Sequence, residues 1–204
     1  MRSATVAEVD LTGKARIREA AMQRFASDGV AATSLRAVAR AAGVSPGLVV
    51  HHFGSKEGLV QAVDEAVVRR ITAALREVPI EGPGSEVIAQ RAEVVGALLR
   101  GQPTLCDYIG RALSEGTEAS ADLFHRMFAH AARDEGLVEA GTLRGDADPF
   151  WRAMHQLILV VAPLILRPLV ERELGASLLD GASFERWMRA NADLLEHGLY
   201  ASDD

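Results

Sequence analysis

Few side chains in this 204-residue sequence have the types and spacing that metal binding or nucleophilic attack requires. His51 and His52 are adjacent, and on a helix their side chains point about 100° apart, so one metal ion would struggle to bind both. The single cysteine, Cys106, excludes an intramolecular disulfide and a cysteine-cluster metal site. The sequence therefore predicts neither a metal site nor a cofactor. An alternative for one histidine of the pair is a partly buried place in the core.

Catalytic motifs are missing as well. The sequence contains no Gly-rich phosphate-binding loop and no nucleophile elbow. Cys106 has no evident catalytic partner along the chain, and a buried cysteine usually acts as a small hydrophobic residue. The adjacent acids Asp134 and Glu135 come near a predicted helix end, where solvated side chains are common. We therefore predict that the protein is not an enzyme.

Charge is divided unevenly along the chain. The whole sequence has a net charge of −6 and a pI of about 5.5, which argues against a simple basic nucleic-acid-binding protein. Residues 1–56, however, contain eight basic and four acidic residues, a net charge of +4, and the remaining residues carry −10. This division indicates that only the N-terminal part meets a polyanion. Chance variation is the alternative from charge alone.

No part of the sequence predicts export or membrane insertion. No apolar segment follows Met1, so no signal peptide is expected. The longest apolar run, 157–166, has ten residues and contains Pro163, whereas a membrane span needs about 20 residues. We expect a soluble cytoplasmic protein without membrane contact.

Apolar residues recur at helical spacing through most of the chain. After a tail of 1–11 without a pattern, the first predicted helices lie at 13–28, 35–42, 46–53 and 56–78. The later ones lie at 85–100, 104–116, 120–135, 148–174 and 183–201. Ser120 is expected to cap its helix, and Pro163 and Pro168 are expected to kink or split the helix that contains them. No segment alternates at period two for long enough to be a strand, so the predicted fold class is all-α.

Residues 35–53 form two short predicted helices around a three-residue turn. Ala39 must be small where the second helix crosses the first, and Gly43 must accept a positive φ in the turn. Val44 and Val49 are expected to face inward, which leaves the intervening side chains pointing outward, where the major groove of DNA can accept them. This helix-turn-helix favours DNA binding, and the alternative is an ordinary αα-hairpin of a helical bundle.

The same segment resembles the DNA-binding domain of the TetR family of transcriptional regulators. The residues that carry the resemblance are Thr33-Ser-Leu-Arg-Ala-Val-Ala-Arg-Ala-Ala-Gly-Val-Ser-Pro-Gly47 and His51-His-Phe-Gly-Ser-Lys-Glu-Gly-Leu59. The resemblance extends from Lys14 to Leu59, and the rest of the chain matches only in helical character and length. It implies an N-terminal three-helix domain that binds DNA and a C-terminal helical bundle that binds a ligand and forms a dimer.

The resemblance implies a role for each matching residue. Thr33 or Ser34 would donate to a DNA phosphate, and Lys56, at the start of the long helix, would bind phosphate with the help of the helix dipole. The residues that would open the recognition helix and lie against base edges are Ser45, Pro46, Gly47 and Leu48, and those that would project toward the groove and the backbone are His51 and His52. Val50 stands where the family usually has a phosphate-binding tyrosine, so either affinity is modest or a neighbour such as His51 makes that contact.

For the rest of the chain, the resemblance implies a homodimer and a small-molecule effector. Helices 148–174 and 183–201 would form a four-helix bundle with those of a second subunit. The later helix would present Phe184, Trp187, Met188, Leu194, Leu195 and Leu199. Bulky groups with a few polar atoms could line an apolar cavity, with ordinary core packing as the alternative for each. These pocket candidates are Cys106, Tyr108, Phe124, Met127, Phe128, Trp151, Met154 and His155.

We divide the chain into a head, residues 12–58, and a body, residues 59–204, linked by the predicted helix 56–78. The head is the predicted DNA-binding domain, and the body is the predicted ligand-binding and dimerisation domain. The predicted function is that of a transcriptional regulator, a repressor as most of the family are, which binds a palindromic double-stranded DNA operator as a homodimer and is released by a small, largely apolar ligand. The alternative is an all-α carrier or sensor of an apolar ligand without specific operator binding.

Overall fold

The computed structural model describes residues 6–79, 81, 84–132 and 148–198, and within these ranges the regular secondary structure is entirely α-helical. This confirms the predicted all-α fold class. The first four helices are α1 (Val6–Asp28), α2 (Leu35–Ala42), α3 (Pro46–Phe53) and α4 (Lys56–Arg76). The next three are α5 (Gly84–Gly101), α6 (Pro103–Ser114) and α7 (Glu118–Ala131). The last three are α8 (Pro149–Ile165), α9 (Arg167–Leu174) and α10 (Gly181–Gly198).

The first helix is longer than predicted. α1 begins at Val6, so the expectation of an unpatterned tail through residue 11 was wrong for 6–11. Its buried apolar residues include Ile17, Ala21 and Phe25. The apolar pattern therefore predicted the helix from residue 13 onward and missed its first residues.

Serine N-caps begin the next three helices, α2, α3 and α4. The hydroxyl oxygens of Ser34, Ser45 and Ser55 accept hydrogen bonds from backbone N–H groups three residues later, at 3.2, 3.2 and 3.1 Å. The predicted cap of α7 was wrong: Thr117, not Ser120, is the N-cap. The two residues form a capping box, because each side chain accepts a hydrogen bond from the other's backbone N–H.

Two prolines shape the region predicted as one helix over 148–174. The chain splits into α8 and α9, which are bent by 77°, as the prolines led us to expect. Pro163 has no N–H for the carbonyl of Leu159 four residues earlier. That carbonyl accepts hydrogen bonds from the Trp187 indole at 3.3 Å and the Asn191 amide at 3.1 Å instead. The proline therefore creates the acceptor by which α8 holds α10.

No single helix among the described residues is long and apolar enough to cross a membrane. The bent pair of α8 and α9 passes that test jointly, by length and composition.

Head and body share one hydrophobic core. α1 packs along α6, where the rings of Phe25 and Tyr108 lie 6.4 Å apart between centroids. Arg70 of α4 donates to Glu19 of α1 at 2.6 Å and to Gln102 before α6 at 3.1 Å. The part of the chain that carries the DNA-binding candidates therefore packs against α6 of the body. The domain limits 12–58 and 59–204 remain predictions.

Candidate nucleic-acid interface and body cavity

The turn between α2 and α3 depends on Gly43. Its φ of 64° is left-handed, a conformation that costs a residue with a Cβ atom about 1–2 kcal/mol. The N–H of Val44 donates to the carbonyl of Ala39 at 2.9 Å, which satisfies an acceptor at the end of α2. Arg16 of α1 donates to the carbonyl of Ala42 from the other side. The angle between the two helices is therefore held by the turn and by α1.

Apolar packing fixes which side of α3 faces out. Val49 is fully buried, as are Val38 and Ala39 of α2, and all three belong to the core cluster that contains Phe25 of α1 and Leu59 of α4. This confirms the inward position predicted for Val49. The small side chain of Ala39 sits at the buried crossing of the two helices. Pro46, Gly47, Val50 and His51 are the exposed positions of α3, while Leu48, His52 and Phe53 are half-buried.

The candidates for base contact lie together at the start of α3. Ser45, Pro46 and Gly47 are exposed, while Leu48 is half-buried and packs on the core. The hydroxyl of Ser45 accepts a hydrogen bond from the Leu48 N–H. One turn later Val50 is 48% exposed, so the position of the family's usual tyrosine is open to solvent and apolar.

Thr33 and Ser34, the two candidates for one phosphate contact, have different surroundings. Thr33 is only 2% exposed, and its hydroxyl donates to the Gly29 carbonyl at 2.7 Å, so the expectation that it could reach a DNA phosphate is corrected. Ser34 is exposed, and its hydroxyl oxygen accepts from the Ala37 N–H, so its hydroxyl hydrogen is not used by this bond. Of the two, Ser34 is the one placed to donate.

The two histidines have different surroundings. His51 is exposed. His52 is half-buried with its Nε2 atom shielded from solvent, 3.9 Å from where a Cβ on Gly13 of α1 would stand. This corrects the expectation that His52 projects toward DNA and fits the alternative of a core histidine. Among the described residues no group of three or more His, Cys, Asp or Glu side chains could hold a metal ion.

Lys56 is the first residue of α4 and lies beside the loop that joins α1 to α2. Its Nζ donates to the carbonyl of Ala31 at 3.0 Å, an exposed bond that holds the ammonium near the start of the helix. The N-terminal end of a helix attracts anions because its backbone N–H groups and dipole point there. The position is suited to a phosphate contact.

Two exposed basic residues of α2 were not among the DNA contacts predicted from sequence. Arg36 and Arg40 are exposed and lie four residues apart on α2, opposite the buried Val38 and Ala39. A four-residue spacing places both on one face of the helix. This spacing, beside apolar positions that must be buried, was the signal that could have identified them.

Comparisons with known proteins agree with this geometry. The family model "Bacterial regulatory proteins, tetR family" matches residues 17–63. The HTH-type transcriptional regulatory protein RaaS of Mycobacterium tuberculosis is 41% identical over 155 residues, which are 75% of this chain and 68% of that protein. This chain belongs to the TetR family. It is a TetR-type helix-turn-helix transcriptional regulator.

Further relatives extend over most of the chain. The HTH-type transcriptional repressor Rv3405c of Mycobacterium tuberculosis is 38% identical over 169 residues, 82% of this chain and 80% of that protein. The crystal structure of a TetR family transcription regulator from Marinobacter aquaeolei VT8 superposes with a TM-score of 0.68 at 18% identity, covering 97% of this chain and 100% of that one. At that identity the structure supports the fold alone. The TetR fold therefore includes the body as well as the head.

The body of this TetR-family chain encloses an apolar cavity of about 190 Å³. α4 contributes Val68, Ile71 and Leu75, and the other walls come from α5, α6, α7, α8 and α10. Polar side chains at its border are Arg91, His130, Gln156 and Asn191. An apolar chamber with a few polar groups is the usual form of a small-molecule site.

The pocket residues predicted from sequence are mostly elsewhere. Of the eight candidates, only Met127 lines this cavity. Cys106 and Tyr108 are fully buried in the core, and burial raises the pKa of the Cys106 thiol to about 11. Trp151 and His155 pack on each other on the surface, at 5.8 Å between ring centroids. The remaining candidates, Phe124, Phe128 and Met154, are half-buried outside the cavity wall.

Tyr108 instead bonds to a buried acid of α4. Its hydroxyl donates to Oδ1 of Asp64 at 2.6 Å, and both side chains are buried. Burial raises the pKa of Asp64 to about 6, although the Tyr108 hydrogen bond and the charge of Arg126 act in the opposite direction. The pair joins α4 to α6 between the head and the cavity.

The predicted dimer helices carry large apolar side chains on the surface of the single chain. Trp151 of α8 is 54% exposed and Leu169 of α9 is 61% exposed. Leu194 of α10 is 57% exposed, as expected of an interface residue. Phe184 corrects the prediction, because it is buried against Gly96 of α5 within the same chain. Met188 lines the cavity, and the side chains of Leu195 and Leu199 lie outside the described residues.

Proposed function

We propose that the protein is a repressor that binds a two-fold symmetric DNA operator as a homodimer and leaves it when a small, largely apolar ligand occupies the body. The observation that carries this proposal is the exposed start of α3, seated on a buried core by Val49 and the Gly43 turn. A helix held in this way presents its N-terminal side chains to the major groove. The name of the relative Rv3405c supports repression.

On DNA, two sets of side chains have separate roles. Ser45, Pro46, Gly47, Leu48 and His51 lie against base edges, where Leu48 offers only apolar contact, for example to a thymine methyl group. The phosphate contacts come from Ser34 at the N-cap of α2, from Arg36 and Arg40 on α2, and from Lys56 at the start of α4. Phosphate contacts fix the position of the head and base contacts select the sequence.

Large exposed apolar side chains on α8, α9 and α10 support the proposed dimer. Contiguous exposed apolar patches mark interaction sites on soluble proteins. Two-fold symmetric pairing of this face places two heads on one duplex, where half-sites one helical turn apart are about 34–36 Å between centres. The modest charge of each head makes binding depend on both heads together.

Ligand release uses α4, because this helix belongs to both sites. Lys56 at its start lies on the DNA face, and Ile71 and Leu75 near its end line the cavity. A ligand that binds better to one orientation of α4 shifts the population of head spacings toward that orientation. The protein then leaves the operator because the spacing of its two heads no longer fits successive major grooves.

The test is a gel shift of the purified protein on DNA from upstream of its own gene. Gly47→Glu places a negative charge on the exposed end of α3, and a side chain fits there because the nearest atom to a Cβ is 3.9 Å away. We expect this change to weaken binding by more than about 10-fold without changing thermal stability. Gly101→Glu, at an open position at the end of α5 and outside the proposed dimer helices, is the matched control and is expected to bind as wild type.

The alternative function, a carrier without specific operator binding, draws its support from the exposed Val50. Absence of a specific shift at low salt, with the protein folded and binding an apolar ligand, would establish the carrier and overturn the repressor.

A further inference from the structure

A second, more polar cavity adjoins the apolar one in the body. It has a volume of about 750 Å³ and shares Val68, Leu75, Arg91 and His130 with the apolar chamber. We call the first cavity the chamber and the second the vestibule. The shared residues come from α4, α5 and α7, so one molecule can extend from the vestibule into the chamber.

The vestibule is lined by basic side chains. Its charged or titratable lining side chains among the described residues are Arg76, Arg91, Arg126, His125 and His130, and none of them is acidic. Arg126 has Glu65 at 4.0 Å, at the outer limit of an ion pair. Arg76 is exposed at the last turn of α4. The vestibule therefore favours an anion over a cation or a neutral group.

The chamber has the opposite character. Aliphatic side chains of α4, α5, α6 and α8 form most of its wall. The amide of Asn191 at its border already donates to the Leu159 carbonyl. A charged group inside the chamber would lose its hydration without a full set of partners, which costs several kcal/mol. An apolar chain in the chamber avoids that cost.

We propose that the effector is an amphiphilic anion, with an apolar chain in the chamber and a carboxylate or phosphate head in the vestibule. This inference rests on the proposed function, because it names the ligand class of the site that controls operator binding. Arg91 is the central residue: it borders both cavities and stands where the chain meets the head group. Arg76 of α4 and Arg126 of α7 also line the vestibule and contribute positive charge near the head group.

The experiment compares two probes that differ only in the head group. Decanoate and decan-1-ol are titrated into the full-length protein by calorimetry at pH 7.5, below micellar concentrations. We expect decanoate to bind about 10-fold more tightly, the factor that one charge-assisted hydrogen bond of roughly 1.4 kcal/mol supplies. Decyl phosphate distinguishes the two possible head groups by binding more tightly or more weakly than decanoate.

Two variants test whether the vestibule causes the preference for decanoate over decan-1-ol. In Arg91→Gln we expect the affinity for decanoate to fall to that for decan-1-ol, with decan-1-ol binding unchanged. Arg172→Gln, at an exposed position of α9 that lines neither cavity, is the matched control and is expected to keep the preference. If Arg91→Gln does not fold, Arg76→Gln at its exposed position takes its place.

The outcomes separate this inference from the proposed function. Equal affinity of the two probes for the wild type, or a preference that survives Arg91→Gln and Arg76→Gln, overturns the anionic ligand. Binding of neither probe also overturns it. Operator binding in the same preparation is measured by gel shift. If the protein shows a specific gel shift and decan-1-ol releases it from DNA as well as decanoate does, the proposed function remains intact. Absence of any specific gel shift refutes that function independently.

Discussion

The buried bond between Asp64 and Tyr108 makes a quantitative prediction about pH. The pKa of Asp64 is raised from 3.8 to about 6, a difference that corresponds to about 3 kcal/mol of stability. Because the folded state holds the proton more tightly than the unfolded state, this stability is fully present below pH 3.8 and is lost as the pH rises through about 6. Between pH 8 and pH 5 the group alone changes the free energy of unfolding by about 1.4 kcal/mol.

Asp64→Asn removes this dependence, because an amide keeps the oxygen that accepts from Tyr108 and cannot ionise. Urea unfolding followed by circular dichroism at pH 5 and pH 8 measures the effect. We expect the stability of the variant relative to wild type to be about 1.4 kcal/mol higher at pH 8 than at pH 5. Glu173→Gln, at an exposed position of α9, is the control and is expected to show no such difference.

Tyr108→Phe tests the same bond from the other side. Loss of the donor leaves the carboxyl of Asp64 buried without its hydrogen bond, which costs about 1–3 kcal/mol at pH 8. The pKa of Asp64 should rise further, so the pH dependence should grow. A difference between wild type and Asp64→Asn that is constant from pH 5 to pH 8 would refute the reasoning, because Asp64 would then not change its charge over that range.

Three further predictions follow from the other sites. Lys56→Ala should weaken binding to all DNA sequences and reduce the salt slope of log K by about one unit, measured by fluorescence anisotropy; an unchanged slope would remove Lys56 from the DNA contacts. Leu169→Glu on the exposed apolar face should lower the fraction of dimer at micromolar concentration, measured by analytical ultracentrifugation. A wild type that is itself monomeric at that concentration would contradict the dimer. Gly110→Ala should lower stability by about 1–3 kcal/mol, read from urea unfolding, because the added Cβ would stand 2.5 Å from the Leu164 carbonyl oxygen; full retention of stability would show that α6 and α8 can separate.

The head was predictable because its determinants are local. Gly43, the Ser45–Pro46 cap and the apolar positions around Ala39 fix a turn and two helices within about 20 residues of sequence. Exposure inside that segment was less predictable. Thr33 and Ser34 are equivalent as cap types, and only the carbonyl of Gly29, placed by the end of α1, decides that Thr33 turns inward.

The body cavity was not predictable because its walls come from helices far apart in sequence. Tyr108 looked like a pocket residue since it is large and has one polar atom. Its partner, Asp64, is 44 residues away on α4, and no pattern within α6 indicates that bond. The apolar spacing over 56–78 predicted the helix that carries Ile71 and Leu75, but it did not indicate which helices face them. Tertiary contacts determine which apolar stripe encloses a cavity and which becomes solid core.

The placement of Asp64 on α4 bears on how the two sites communicate. At 1.5 Å per residue, about 28 Å of helix separates Lys56 at the DNA face from Leu75 at the cavity. The bond to Tyr108 fixes α4 to α6 between these ends, and α6 in turn packs along α1 of the head. Under the proposed function, a ligand that displaces Ile71 and Leu75 would act on a helix held near its middle, and we infer that movement at the cavity end would reach the head as rotation about that point. Asp64→Asn keeps the hydrogen bond and should preserve release of the protein from DNA by ligand. Tyr108→Phe removes the bond between α4 and α6, so in a gel shift a given ligand occupancy should release less protein from DNA. Equal release in wild type and Tyr108→Phe would contradict a pivot at this bond.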